Sequence, residues 1–206
     1  MKNIIFFFVL VSTMSCNAQS QTISLSSSSA RSSIAGAYYK DTENDFISFL
    51  GSWKFTNGNK SFYITLSKKT FYFDTTFNIY EDLVVGEYRY VENNVEKTNT
   101  LNLLFDSAID PYDRNIVGNT VMQKTTAPIC SDCEVDEKRL SLMFDDPTIN
   151  VKGLSGEIEL RRVDQAGVER LKMILRKTGN LILQDGMVPE VTSFNVPFGT
   201  YILTRP

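Results

Sequence analysis

No histidine occurs anywhere in the 206 residues, and this absence removes more chemistry than any motif supplies. Ser-His-Asp and Cys-His catalysis, the two-histidine zinc hydrolase centres and histidine-ligated haem all need an imidazole. An enzyme built on this chain is confined to carboxylate pairs, a lysine or tyrosine base, or a cysteine pair. The expectation is a protein without catalytic residues, metal or cofactor. Tryptophan occurs once and cysteine three times. Basic residues are outnumbered, 21 Lys and Arg against 24 Asp and Glu, so no nucleic-acid partner is expected. The one long apolar run, Ile4 to Val11, is too short to cross a bilayer as a stable anchor.

That run belongs to an address. Lys2 supplies the positive end, Ile4 to Val11 the apolar stretch and Ser12 to Ala18 a region of small residues, the pattern of an export signal. Thr13-Met14-Ser15-Cys16 resembles a bacterial lipobox. The resemblance implies a signal peptide over 1–15, cleavage before Cys16 and a lipid on Cys16 that anchors the chain to the outer membrane. Thr13 and Met14 stand where a lipobox usually has an aliphatic and a small residue, so cleavage after Ala18 to release a soluble protein is the alternative. Asn17-Ala18-Gln19-Ser20 lacks the acidic cluster that directs some lipoproteins outward, which favours the periplasmic face. Residues 16–33 are rich in serine, with Ser26 to Ser29 in an unbroken row, and read as a flexible tether. Residues 34–206 then form one domain, large enough to bury a full core. Without residues 1–15, twenty basic side chains face 24 acidic ones, a net charge of about −4.

Within the domain the dominant period is two. Phe62, Ile64 and Leu66 alternate with Tyr63, Thr65 and Ser67, behind a hairpin signal at Asn57-Gly58. Further runs at Thr70 to Phe73, Leu83 to Val91, Thr100 to Phe105, Arg139 to Phe144, Glu157 to Arg161, Glu169 to Leu175, Leu181 to Leu183 and Thr200 to Thr204 bring the expectation to about 8–10 strands, and the long polar stretch Asp106 to Asp136 is the exception, with Ile116 to Met122 as its one candidate short strand. No helix of crossover length intervenes, which excludes parallel βαβ folds. One short helix is expected after Thr42-Glu43-Asn44-Asp45, a capping-box-like start with Phe46, Phe49 and Leu50 at helical spacing. The fold class is all-β: a single antiparallel barrel, with a β-sandwich as the alternative.

Cys130 and Cys133 are three residues apart in an exported chain, where a disulfide is the default. Bridging needs Cα atoms within about 7 Å, so the segment must turn, and Pro128 and Ser131-Asp132 suit a turn. Neither a thioredoxin-like βαβ unit nor a second metal-ligand pair accompanies them, which makes a local staple the preferred reading. Asp106, Asp110, Asp113 and Asp145-Asp146 lack the alternate-position spacing of a calcium loop and read as turn formers.

Gly51-Ser52-Trp53, preceded by a short helical stretch, resembles the opening of lipocalin-type barrels. That resemblance implies that Trp53 closes the barrel bottom, that Gly51 lets the backbone bend, and that Arg205 covers the indole face. More broadly, the lipobox start, Leu50-Gly51-Ser52-Trp53-Lys54-Phe55, Asp82 to Tyr90, Asn99-Thr100-Leu101 and Val196 to Leu203 resemble an uncharacterised family of bacterial outer-membrane lipoproteins with a lipocalin-like barrel. It carries no activity and no transferable site. The function expected is a non-enzymatic module for a small hydrophobic ligand held in the barrel mouth. The alternative is a protein-interaction or structural module of the envelope, marked by a filled barrel and an exposed apolar patch. The aromatics Tyr63, Tyr72, Tyr88, Tyr90, Phe71 and Phe73 read as core and loop packing, with an aromatic ligand surface on one face as the alternative, and the long Asp106 to Asp136 stretch is the candidate contact loop.

Overall fold

A computed structural model of the chain describes residues 20–26, 34–149, 151, 153–179 and 192–206. The expected signal peptide, Cys16, Ala18 and the strand expected at Leu181 to Leu183 lie outside the described residues. The strands are β1 (Thr22–Ser24), β2 (Tyr38–Lys40), β3 (Gly51–Asn57), β4 (Lys60–Asp74), β5 (Ile79–Glu92), β6 (Val95–Asn99), β7 (Ile116–Met122), β8 (Arg139–Phe144), β9 (Gly156–Arg162), β10 (Arg170–Lys177) and β11 (Gly199–Thr204).

Eight of them close into an antiparallel barrel. The order β5-β4-β3-β11-β10-β9-β8-β7 returns to its start because Val84, Val85 and Gly86 of β5 pair with Gly118, Val117 and Ile116 of β7. Closure removes the free edges that a sandwich would leave, and a sandwich is excluded. The far edge of β5 serves three partners in turn: β2 at Tyr80 and Glu81, β7 at Val84 to Gly86, and β6 from Arg89 to Glu92.

Three local expectations are corrected, and the expected short helix is present in 3-10 form. Thr22–Ser24, inside the stretch read as tether, is strand β1, paired in parallel with β2, and Leu25 behind it is buried. The short helix is a 3-10 turn over Asp45–Phe49, capped by the Asp41 carboxylate, which accepts from the N–H groups of Asp45 at 2.8 Å and Phe46 at 3.4 Å. Thr100 to Phe105 is likewise no strand; Leu101–Phe105 forms a 3-10 turn. The separate strand at Thr70 to Phe73 is the continuation of β4 beyond a bulge.

Alternation along each strand sends one face inward, and the inward side chains fill the interior. Phe62, Ile64, Tyr88, Ile158, Leu160, Leu171 and Met173 are fully buried there. The rings interlock, with centroids 4.8 Å apart for Tyr88 and Phe144 and 5.7 Å for Phe62 and Tyr201. Phe46, Phe49 and Trp53 shut one end. At the other, Phe194 and Val196 are buried in the core, and Asn195 donates its N–H to Asp146 at 2.9 Å. The barrel mouth, where a ligand was expected, is therefore occupied by the chain itself.

Candidate functional site

β4 and β5 outrun their barrel neighbours. β3 pairs with β4 only as far as Leu66, whereas the β4–β5 hairpin continues to Asp74 and Ile79. Since β2 adds to β5 at Tyr80 and Glu81, and β1 to β2, the overhang becomes a small sheet with two faces. Pairing fixes which side chains share a face: Tyr38 with Tyr80 on one, Tyr39 with Glu81 on the other.

The second face bounds a cleft of about 180 Å³, lined by Leu25, Tyr39, Asp74, Phe77, Ile79, Glu81, Tyr112 and Asn119. Its walls are mainly apolar and aromatic, and its polar floor is Glu81, which is 3% exposed. The Glu81 carboxylate accepts from the Tyr112 hydroxyl at 2.5 Å and from the Asn119 side-chain amide at 2.6 Å. Tyr112 is placed by Asp110, which accepts its N–H at 2.9 Å and caps the 3-10 turn over Pro111–Asp113. Asp110 also accepts from the Tyr72 hydroxyl; burial, with that bond, pushes the Tyr72 phenol up to about 12. Wider depressions of about 450 and 470 Å³ flank Arg114 and are lined largely by loop and polar residues.

The first face carries Phe71, 53% exposed, stacked on Tyr80 with centroids 4.3 Å apart and edge-on to Tyr38 at 4.8 Å. Phe71 sits in the β4 bulge at φ +53°, a left-handed conformation that costs a bulky residue about 1–3 kcal/mol. Asp82, fully buried, holds it there: its carboxylate accepts the Phe71 N–H at 3.2 Å, the Asp41 N–H at 3.2 Å and the Tyr38 hydroxyl, and faces Lys68 at 3.3 Å.

The residues singled out from sequence fall elsewhere. Trp53 is fully buried, its indole N–H donates to the Phe49 carbonyl at 2.8 Å, and Arg205 and Arg162 approach its ring at 3.7 and 5.2 Å. Gly51 has φ +92°. Cys130 and Cys133 have Cα atoms 5.4 Å apart, with their sulfurs at bonding distance. Their loop is tied down by Arg139, whose guanidinium donates to the carbonyls of Gln123, Thr126 and Pro128 and to Glu159. Asp106, Asp110 and Asp146 accept backbone N–H groups two residues on, as turn formers do. Tyr88 and Tyr90 are interior, and Tyr63 lies outside under Lys54. Glu87 is buried and accepts from Asn115 at 2.6 Å, because the segment after β6 folds over it. The cleft itself was missed. Its polar floor combines Glu81, Tyr112 and Asn119 from three separate segments; the local hint was the apolar strand run Leu83-Val84-Val85 preceded by two adjacent acids, Glu81-Asp82.

Fold and site together define a closed eight-stranded β-barrel protein whose interior is packed and whose cleft lies outside the wall, under an added strand pair. The chain belongs to a family of unknown function, DUF6705, whose model matches residues 1–206. No curated protein and no solved structure matches it.

Proposed function

We propose that the protein is a non-enzymatic binding module for a small, largely apolar ligand, and that the ligand sits in the lateral cleft instead of the barrel mouth. The carrying observation is the contrast between the two places. The interior is filled by side chains, while the cleft keeps about 180 Å³ between Leu25, Phe77 and Ile79 above a hydrogen-bonded carboxylate. An apolar cavity of about 150 Å³ suffices for a benzene-sized molecule. Apolar walls with a few convergent polar groups are the usual composition of a ligand site.

The test is native mass spectrometry of the mature protein before and after organic extraction. An extractable mass that recurs in the wild type and disappears in Ile79→Trp, which fills the cleft, is expected. A clean apo mass, together with no saturable binding of small aromatic probes, counts against the reading.

A second reading, a protein-contact module of the envelope, is favoured by the exposed Phe71 and Phe73 beside Tyr80 over a filled barrel. In-cell crosslinking to a protein that is lost in Phe71→Ser but kept in Ile79→Trp would select it. For location, we propose export and lipidation at Cys16, with anchoring at the periplasmic face of the outer membrane. Cys16→Ser then moves the protein to the soluble fraction, and continued membrane association opposes the proposal.

A further inference from the structure

The cleft carries charge of one sign. Two of its lining residues are carboxylates, Asp74 and Glu81, both buried, and none is Lys or Arg. Among the described residues neither forms an ion pair. Glu81 is held by two neutral donors, Tyr112 and Asn119, and Asp74 accepts the N–H groups of Thr76 at 2.7 Å and Phe77 at 3.2 Å. Neutral hydrogen bonds orient a carboxylate but leave its charge uncompensated, and a buried unpaired charge is costly. This contrasts with Asp41, Asp82 and Glu159, which face Lys68, Arg139 or Arg176 at 2.8 to 3.3 Å. Three aromatic residues, Tyr39, Phe77 and Tyr112, line the same space. Aromatic faces attract cations, most strongly where water is excluded.

Resting on the ligand-binding reading above, we propose that the cleft is selective for a small organic ammonium ion: a cationic head that meets Glu81 and Asp74 among the rings of Tyr39, Phe77 and Tyr112, on an apolar body that fills the space beside Leu25 and Ile79. A neutral hydroxyl and an ammonium can both donate to the carboxylate, but only the ammonium adds the attraction of opposite charges, which is strengthened where water is excluded, so the cation gains where a neutral isostere does not. Anions are excluded by the same two carboxylates. An ammonium group could arrive on a free amine or on a phospholipid headgroup. The free amine is favoured, because a headgroup phosphate would be drawn towards the acidic wall.

The experiment is a titration of the full mature protein at pH 7 by calorimetry or ligand-observed NMR with benzylammonium, benzyl alcohol, benzoate and phosphorylethanolamine. Benzylammonium is expected to bind at least tenfold more tightly than benzyl alcohol, with benzoate and phosphorylethanolamine weaker still. In Glu81→Gln, which keeps the shape but removes the charge and one of the two acceptor oxygens, the ratio of benzylammonium to benzyl alcohol affinity falls to less than threefold. Equal affinity for benzylammonium and benzyl alcohol in the wild type overturns cation selectivity and leaves the binding reading standing. Phosphorylethanolamine binding as tightly as benzylammonium overturns the free-amine assignment in favour of a headgroup. Absence of binding by all four probes, with Ile79→Trp indistinguishable from wild type, overturns both readings together.

Discussion

The guanidinium of Arg205 lies 3.7 Å from the centroid of the Trp53 ring and donates to the Leu50 carbonyl at 2.8 Å, so one side chain covers the indole and ties the last strand to the entry of the first barrel strand. Gly51 makes this possible twice over. Its φ of +92° suits glycine, and a Cβ there would meet the Arg205 Nη1 at 2.7 Å. Trp53→Ala is expected to lower stability by roughly 3–5 kcal/mol, since it empties a fully buried site. Arg205→Ala should cost about 1 kcal/mol, and Gly51→Ala about 1–3 kcal/mol. Urea unfolding checks all three; a Trp53→Ala loss below about 1 kcal/mol would remove Trp53 from the closure.

The charged cluster beneath Phe71 gives the protein an acid limb and an alkaline limb. Burial pushes the Asp82 carboxyl up, but bonds from the Tyr38 hydroxyl and the Phe71 and Asp41 N–H groups, with the Lys68 charge, outweigh it and hold it below the usual range. Its stabilisation is present above about pH 4 and is lost as pH falls further. Burial lowers Lys68, but Asp41 and Asp82 outweigh that and raise it, so its contribution is present below about pH 10.4 and is lost as pH rises beyond. Thermal unfolding of Asp82→Asn against wild type should show a lower plateau and a shallower acid limb. Parallel acid limbs would show that other carboxylates dominate.

Tyr90 faces the packed interior with its hydroxyl buried and without a hydrogen-bond partner among the described residues. An unsatisfied buried hydroxyl opposes folding, so Tyr90→Phe should stabilise the barrel by about 1 kcal/mol. A destabilising result would reveal a partner for that hydroxyl, such as bound water.

Arg139, almost fully buried, joins three carbonyls of the Gln123 to Pro128 stretch to the β8–β9 wall. Arg139→Met should cost roughly 3 kcal/mol and raise the rate of proteolysis within 123–138, because the loop loses its anchor while Glu159 keeps Arg176 at 2.8 Å. Unchanged proteolysis would mean that the Cys130–Cys133 turn and the Arg161 pairs with Asp132 and Glu137 hold the loop unaided.

Local rules read this chain well where local physics decides. The alternation of Phe62, Ile64 and Leu66 with Tyr63, Thr65 and Ser67 marks β4, and Asn57-Gly58 marks its hairpin. Asn93-Asn94, both at positive φ, carried an equally plain turn signal for β5 and β6 that the long polar stretch around it concealed. Where two elements compete over few residues, local reading fails. Leu101–Phe105 is apolar enough for a strand but closes as a 3-10 turn, and Thr22–Ser24 looks too polar to pack until β2 offers it an edge.

The sequence by itself determined an all-β chain, the hairpin at Asn57-Gly58 and the exclusion of histidine chemistry, because period, turn residues and composition are properties of neighbours in the chain; closure into a barrel instead of a sandwich rests on the pairing of β5 with β7, which are distant in it. Only the tertiary structure decided that the interior is full and that the cleft lies outside it. Both depend on which distant segments meet: Phe194 with Phe144 at the barrel end, and Leu25, Glu81, Tyr112 and Asn119 around one space. Side-chain volume and strand register set those meetings, and neither is written in any single window of residues.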